Sequence, residues 1–106
     1  MNLRSHTPKA SADDACALLK ALANPHRLMI VCALLDGEQS VGPLAEMLGV
    51  RESLAWQHLG LLRRDGLVAA RRDGQMIYHG LQSGQARVLV ETLSRLFCTL
   101  SDRARA

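Results

Sequence analysis

Apolar residues recur at helical spacing along most of this chain and alternate only over a short stretch near residue 70. Between Ala12 and Ala23 they fall at Ala15, Leu18, Leu19 and Leu22. Ser11 with Asp14 three residues on has the form of a capping box, so a first helix is predicted over 12–23. Asn24-Pro25 then sets an N-cap before a proline at the first helical position, where its missing N–H costs least. The second helix runs through Leu28-Met29-Ile30-Val31-Cys32-Ala33-Leu34-Leu35 to Gly37; apolar on nearly every side, it belongs at the centre of the fold. Ser40 is expected to cap a short third helix that ends at Gly49 with Leu44, Met47 and Leu48 turned inward.

Beyond the turn at Gly49-Val50, a fourth helix from about Glu52 to Asp65 puts Leu54, Ala55, His58, Leu59 and Leu62 on its inner side. Arg51, Ser53, Trp56, Gln57, Gly60, Arg63 and Arg64 fall on the outer side, and Gly66 ends the helix. Leu67–Arg72 and Gln75–Leu81 flank Asp73-Gly74, a type I′ turn signal, and form a hairpin with Arg71 and Arg72 at its tip. A last helix from Gly84 to about Ser101 carries Leu89, Leu93, Leu96, Phe97 and Leu100, a seam longer than this chain can cover by itself. The pattern predicts a mainly α fold with a small β-hairpin, in the order α-α-α-α-β-β-α, and a homodimer through the first and last helices. A short helix, a Gly turn, a longer helix with a polar outer face and an Arg-tipped hairpin make a winged helix-turn-helix. In that arrangement the second helix of the pair enters the major groove and the hairpin reaches the adjacent backbone or minor groove. Residues 1–106 read as one such domain, with 1–10 and 102–106 mobile.

Composition narrows the classes. A chain of 106 residues has no room for separate catalytic and cofactor domains, and at 48% hydrophobic but 3% aromatic its core must be built from Leu, Ala and Val, which favours packed helices. The longest apolar run, Leu28 to Leu35, is far shorter than the ~20 residues of a membrane-spanning helix, and the charged N-terminal residues lack the apolar stretch of a secretory signal. A cytoplasmic protein without a membrane partner is expected. The net charge is +3, from 11 Arg and 2 Lys against 10 acidic residues. Residues 1–50 hold four basic and five acidic groups, whereas 51–74 hold five basic and three acidic, so the positive balance lies in the second half. Guanidinium groups fork onto phosphate and guanine edges, which puts nucleic acid first among partners.

Cys16, Cys32 and Cys98 are widely spaced and odd in number, which suits reduced thiols better than a disulfide framework. No two of His6, His26, His58 and His79 stand at i, i+4 spacing. His58, on an inner helix face, is expected to be a hydrogen-bonded structural residue, and His26 and His79 polar surface residues. Neither a Cys-x-x-Cys nor a Gly-rich cofactor loop is present, and a protein that is not an enzyme, without cofactor or metal, is expected.

Three stretches carry a family resemblance: Leu19-Lys20-Ala21-Leu22-Ala23-Asn24-Pro25-His26-Arg27-Leu28-Met29-Ile30, Leu59-Gly60-Leu61-Leu62-Arg63-Arg64-Asp65-Gly66-Leu67-Val68 and Arg71-Arg72-Asp73-Gly74-Gln75-Met76-Ile77-Tyr78. Together they closely resemble the ArsR/SmtB family of bacterial dimeric repressors, over roughly residues 15–100. The resemblance implies a homodimer that binds double-stranded operator DNA and lets go when an inducer binds or reacts. Many members hold a metal through a Cys-x-Cys at the start of the third helix, where this chain has Ser40 and Gly42. Others use a carboxylate and histidines on the last helix, but residues 82–106 contain no His, so the nitrogen ligands that zinc or nickel favour are missing.

Cys32 in the second helix and Cys98 in the last resemble instead the subgroup that senses persulfides, polysulfides or other thiol oxidants through one cysteine in each of those helices. Val31-Cys32-Ala33-Leu34-Leu35 and Leu96-Phe97-Cys98 are the matching settings. The resemblance implies a redox-sensing pair joined by a disulfide or longer polysulfide bridge on oxidation, with a reactive sulfur species or oxidant as inducer. Its regulated functions would be sulfide oxidation or persulfide detoxification. On an ideal helix Cys98 points about opposite the leucine stripe. Cys16 has no counterpart in that pattern and is expected to pack in the core; paired with Cys98 it keeps open a metalloregulator for a thiophilic ion such as As(III). A small thiol oxidoreductase and a ligand-independent DNA-binding module stay open as competing functions.

Carried over from the family, Arg51, Ser53, Trp56 and Gln57 form the reading face, with Gln57 suited to adenine and Arg51 to guanine or phosphate. Arg63, Arg64, Arg71, Arg72 and Gln75 complete the expected DNA-contacting set. Arg63 and Arg64 can equally serve as charges that complement a helix C-terminus, and Arg71 and Arg72 alternate across a strand, so only one faces the DNA. The chain departs from the family where a Ser or Thr commonly stands at Arg51 and a small polar residue at Trp56. The first change removes an N-cap typically worth ~1 kcal/mol, and the second puts a large ring where DNA approaches closely.

Overall fold

Asn24 and Pro25 make the first corner of the fold as their chemistry predicts. Asn24 is extended (φ −151°, ψ 126°), and its Oδ1 accepts from the N–H groups of His26 at 2.9 Å and Arg27 at 3.2 Å, satisfying two donors that a helix start leaves unbonded. Arg27 donates from Nε to the Ala21 carbonyl at 2.7 Å, which ties the end of the preceding helix to the start of the next.

The structure, a computed structural model, describes the backbone of residues 9–105 and the side chains of residues 11–97. Its elements are α1 (Lys9–Leu22), α2 (Pro25–Leu34), β1 (Gln39–Ser40), α3 (Val41–Leu48), α4 (Glu52–Arg64), β2 (Val68–Asp73), β3 (Met76–Leu81) and α5 (Gly84–Arg105). The expected order of helices and hairpin is present, with one addition. Strand β1, too short to show any periodicity, pairs antiparallel with β3 through Gln39 opposite His79 and Ser40 opposite Tyr78, giving a three-stranded sheet of order β1-β3-β2. The ends expected to be mobile lie outside the described residues, apart from the backbone of the two terminal helices.

Helix α2 is central, in contact with each of the other helices and with β3. Its Ile30, Val31 and Leu34 are fully buried with Leu44 of α3, Leu59 and Leu62 of α4 and Val90 of α5. Burial of this kind stabilises by roughly 1.5–3 kcal/mol per large side chain, which is what draws a helix of such composition inward. Among the described residues no single helix is long and apolar enough to cross a membrane; α1 from Ser11 and α2 qualify only as a pair, bent by 97°.

Four local expectations are corrected. Helix α1 begins at Lys9, so Ser11 and Asp14 lie inside it rather than capping it. Met47 is 42% exposed, because Leu44 and Ala45 turn the eight-residue α3 inward by the face on which Met47 does not lie. Cys16 is exposed, since α1 packs only through its C-terminal end at Leu18, Ala21 and Leu22. In the hairpin Asp73 pairs with Met76, so the two-residue loop is Gly74-Gln75. Only Gly74 has positive φ (64°), the sign pattern of a type II′ turn rather than type I′.

Candidate nucleic-acid interface

Helices α3 and α4 are set by the turn between them. Gly49 takes the left-handed conformation (φ 70°, ψ 33°) and its N–H reaches the Ala45 and Glu46 carbonyls; Val50 N–H bonds Ala45 at 3.1 Å, so α3 is closed off in one tight turn. Arg51 then takes the N-cap position (φ −69°, ψ 151°) but makes no side-chain cap bond, as its chemistry dictates. Ser40, expected to cap α3, is also extended at the N-cap without a side-chain bond. A second side-chain cap, besides that of Asn24, was missed from sequence: Ser83 Oγ accepts from Ala86 N–H at 3.1 Å at the start of α5.

On α4 the inner side is Ala55, His58, Leu59 and Leu62, all buried, while Arg51, Ser53, Gln57, Arg63 and Arg64 are exposed. Arg63 and Arg64 occupy the last turn, where cations complement the helix dipole, and Arg64 reaches Asp65 at 3.4 Å in an exposed pair. Trp56 is half-buried. Its ring meets the His79 ring edge-on, at 5.2 Å between centroids and 72° between planes, so it is drawn toward the sheet rather than standing clear of the helix.

Strand register sorts the two wing arginines. Arg72 stands opposite Ile77 and on the same face as Ala70, Val68 and His79, the face turned to the core and α4; Arg71, opposite Tyr78, is on the other. Arg71 is held there. Its Nη2 donates to Glu38 Oε1 at 2.8 Å, its Nε lies 3.0 and 3.2 Å from the two carboxylate oxygens, and its guanidinium stands 5.1 Å from the Tyr78 ring centroid. The Arg71 hydrogen bond, more than its charge, holds the Glu38 carboxyl below its ordinary range. A Cβ at Gly80 would come within 3.1 Å of Glu38 Cγ, so this glycine leaves the carboxylate its path to Arg71. Arg72 and Gln75 are exposed, and among the described residues Arg72 makes no ion pair. Glu38 was not predicted as part of the site, because its partner lies 33 residues away and no local pattern links them.

The histidines need a further correction. His79, expected at the surface, is fully buried, because the core face of β3 alternates Ile77, His79 and Leu81. Neither of its ring nitrogens has a hydrogen-bond partner among the described residues, and burial, then the charge of Arg63, pushes its pKa down. His58 is buried as expected and does find a partner: its Nε2 lies 3.4 Å from Nδ1 of the half-buried His26, one of the two nitrogens donating to the other. Burial first, then His26 and Arg27, lowers the His58 pKa.

Cys32 sits half-buried on α2 against the core, and α2 packs against α5, the helix that carries Cys98. Arg87 of α5 donates from Nη1 to the Leu35 carbonyl just past the end of α2 at 3.3 Å. The Cys98 side chain lies outside the described residues. Among those that are described, no three of His, Cys, Asp and Glu gather where they could hold a metal ion.

A paired α3–α4 with an exposed polar face and a flanking Arg-bearing hairpin defines a winged helix-turn-helix protein of the DNA-binding, transcription-regulating class. Residues 24–70 match the bacterial regulatory protein, arsR family. The chain is 48% identical over 98 residues to the transcriptional activator HlyU of Vibrio cholerae, covering 92% of this chain and 89% of that one. It is 41% identical over 93 residues to the biofilm growth-associated repressor of Xylella fastidiosa, covering 88% and 82%. The solved structure of reduced HlyU from Vibrio cholerae superposes with a TM-score of 0.82 at 44% identity, over 85% of this chain and 95% of that one. This chain belongs to the ArsR family of bacterial regulatory proteins.

Proposed function

We propose that the protein is a homodimeric transcriptional repressor whose reduced form binds an operator of two half-sites about one helical turn, ~10 bp, apart. One observation carries the DNA-binding part: α4 presents Arg51, Ser53 and Gln57 to solvent on the side away from the core. Gln57 reads a base edge, Arg51 a guanine or phosphate, and Arg72 with Gln75 the backbone beside the groove. Arg71, already paired with Glu38, contributes less. Arg63 and Arg64 add positive field at the helix end. The exposed Leu19, Val88, Leu96 and Phe97 of α1 and α5 supply the face a second copy covers. A protein working on operator DNA in this way acts in the cytoplasm. Whether its binding lowers or raises transcription depends on where the operator lies, and the relatives are named for both outcomes.

The inducer in this reading is a reactive sulfur species or another thiol oxidant, and the sensor is Cys32 with Cys98. Support comes from the packing of α2 on α5 and from the half-buried rather than sealed setting of Cys32. One thiolate attacks a polysulfide, takes up a sulfane sulfur and expels the shortened polysulfide. The second thiolate then attacks the persulfidated cysteine at its own Sγ, forming the disulfide and releasing hydrosulfide. Two thiols are oxidised and the sulfane sulfur is reduced. The bridge ties α2 to α5 and favours a dimer geometry that no longer spans both half-sites; a hundredfold loss of affinity needs only ~2.7 kcal/mol of differential binding.

Intact-mass analysis and operator binding after polysulfide treatment test this on the wild type, Cys32→Ser and Cys98→Ser. A bridge and a release of DNA that need both cysteines support the switch. Release by As(III) but not by polysulfide would favour a thiophilic-metal regulator through Cys16 and Cys98, and induction untouched in both variants would leave a ligand-independent binding module.

A further inference from the structure

The sheet meets the reading helix at a pair of rings. His79 lies on the core face of β3, Trp56 on the flank of α4 between the exposed Ser53 and Gln57, and the two rings are 5.2 Å apart at 72°. An imidazole with no solvent exposure and, among the described residues, no hydrogen-bond partner on either nitrogen is a poor way to fill a core, since a leucine would do so without stranding a donor. An edge-to-face contact gives the polar ring something leucine cannot have, a ring–ring electrostatic fit with the indole. Trp56 of α4 meets His79 ring to ring, the charge of Arg63 on the same helix acts on it, and Ala70 of β2 and Gln39 of β1 stand opposite it in the sheet. From this contact β3 runs three residues to Met76 at the wing tip, a lever of about 10 Å at a strand's ordinary rise. A small change of angle at His79 therefore moves Arg72 and Gln75 relative to α4.

We propose that Trp56 and His79 are positioning residues that set the angle of the wing to the reading helix. They thereby fix the distance between the groove that α4 enters and the phosphates that Arg72 reaches. This rests on the DNA-binding reading above, and it removes Trp56 from the set of base-contacting side chains.

The test uses a duplex that the wild-type dimer selects from a random-sequence library, with Trp56→Ala, Trp56→Phe, His79→Leu and the double variant Trp56→Ala/His79→Leu. Trp56→Ala and His79→Leu are each expected to weaken binding about tenfold, or ~1.4 kcal/mol. That loss is the same for duplexes altered at the bases under α4, and the backbone footprint of the wing shifts. The double variant is no weaker than either single one, and Trp56→Phe keeps most of the affinity. A Trp56→Ala variant that loses discrimination at particular base pairs while the wing footprint stays in place overturns the proposal, as do single variants with wild-type affinity and footprint. Should Trp56→Ala or His79→Leu fail to fold, Trp56→Phe decides: wild-type base discrimination with the wing footprint in place upholds the pair, and lost discrimination at particular base pairs refutes it. A wild-type protein that selects no DNA would instead remove the reading on which the pair depends.

Discussion

The end of the molecule formed by α3, α4 and the sheet differs from the end formed by α1 and α5 in how far one chain completes it. At the first, Leu44, Leu59, Leu62 and Val68 are closed in, and what faces outward is largely polar, Arg51, Ser53, Gln57 and Arg72 among it. At the second, Leu19, Val88, Leu96 and Phe97 are between 55% and 69% exposed. The cause is geometric. Helix α2 supplies a surface against which α3, α4 and the sheet can each bury a face, whereas α1 and α5 leave Leu19, Val88, Leu96 and Phe97 exposed among the described residues. The reading end thus closes its core within one chain. The helical end carries apolar area worth roughly 25 cal/mol per Å² to a second copy that covers it.

The largest expected effect breaks the reading end itself. Leu59→Ala, at a fully buried position between α4 and α2, should cost about 2–5 kcal/mol in denaturant unfolding; a cost under about 1 kcal/mol would mean that the packing there is loose. Next comes the helical end, where Leu96→Glu combined with Phe97→Glu should convert a dimer to a monomer in sedimentation while the helical CD signal is kept. A pair that stays dimeric would show the second copy sits elsewhere.

Acid should act on the reading end first. His58 and His79 both have their folded pKa lowered, so the unfolded chain binds protons at a higher pH than the native one. Stability from these groups is therefore complete above about pH 6.5 and declines as pH falls from there toward their folded values. His58→Gln should flatten that decline in unfolding curves, and an unchanged slope would place the titration in other groups. The smallest effect sharpens the wing: Arg72→Ala should lower the slope of log affinity against log salt by about one, and Arg71→Ala by less, because Glu38 already neutralises it. Equal slopes for the two variants would show that Arg71 leaves Glu38 when DNA binds.

Local chemistry explains which parts of this protein were legible from residues. The Asn24-Pro25 corner, the buried stripes of α2 and α4 and the left-handed Gly49 depend on neighbours within a few positions, and each stands where the pattern puts it. The reach of α1 at its start and the hairpin loop were less legible, since one-residue shifts in a cap or turn leave the hydrophobic pattern unchanged. Strand β1, the Glu38–Arg71 pair and the burial of His79 were not legible at all.

The sequence by itself determined the helix-turn-helix and its hairpin, the outward polar face of α4 and the central place of α2, because hydrophobic periodicity and capping are short-range. Tertiary structure alone decided that Arg71 is occupied by Glu38 while Arg72 is not, that Trp56 leans on His79, and that His26 meets His58. Each joins residues more than twenty positions apart, and their proximity follows from how whole elements stack, which no local pattern encodes.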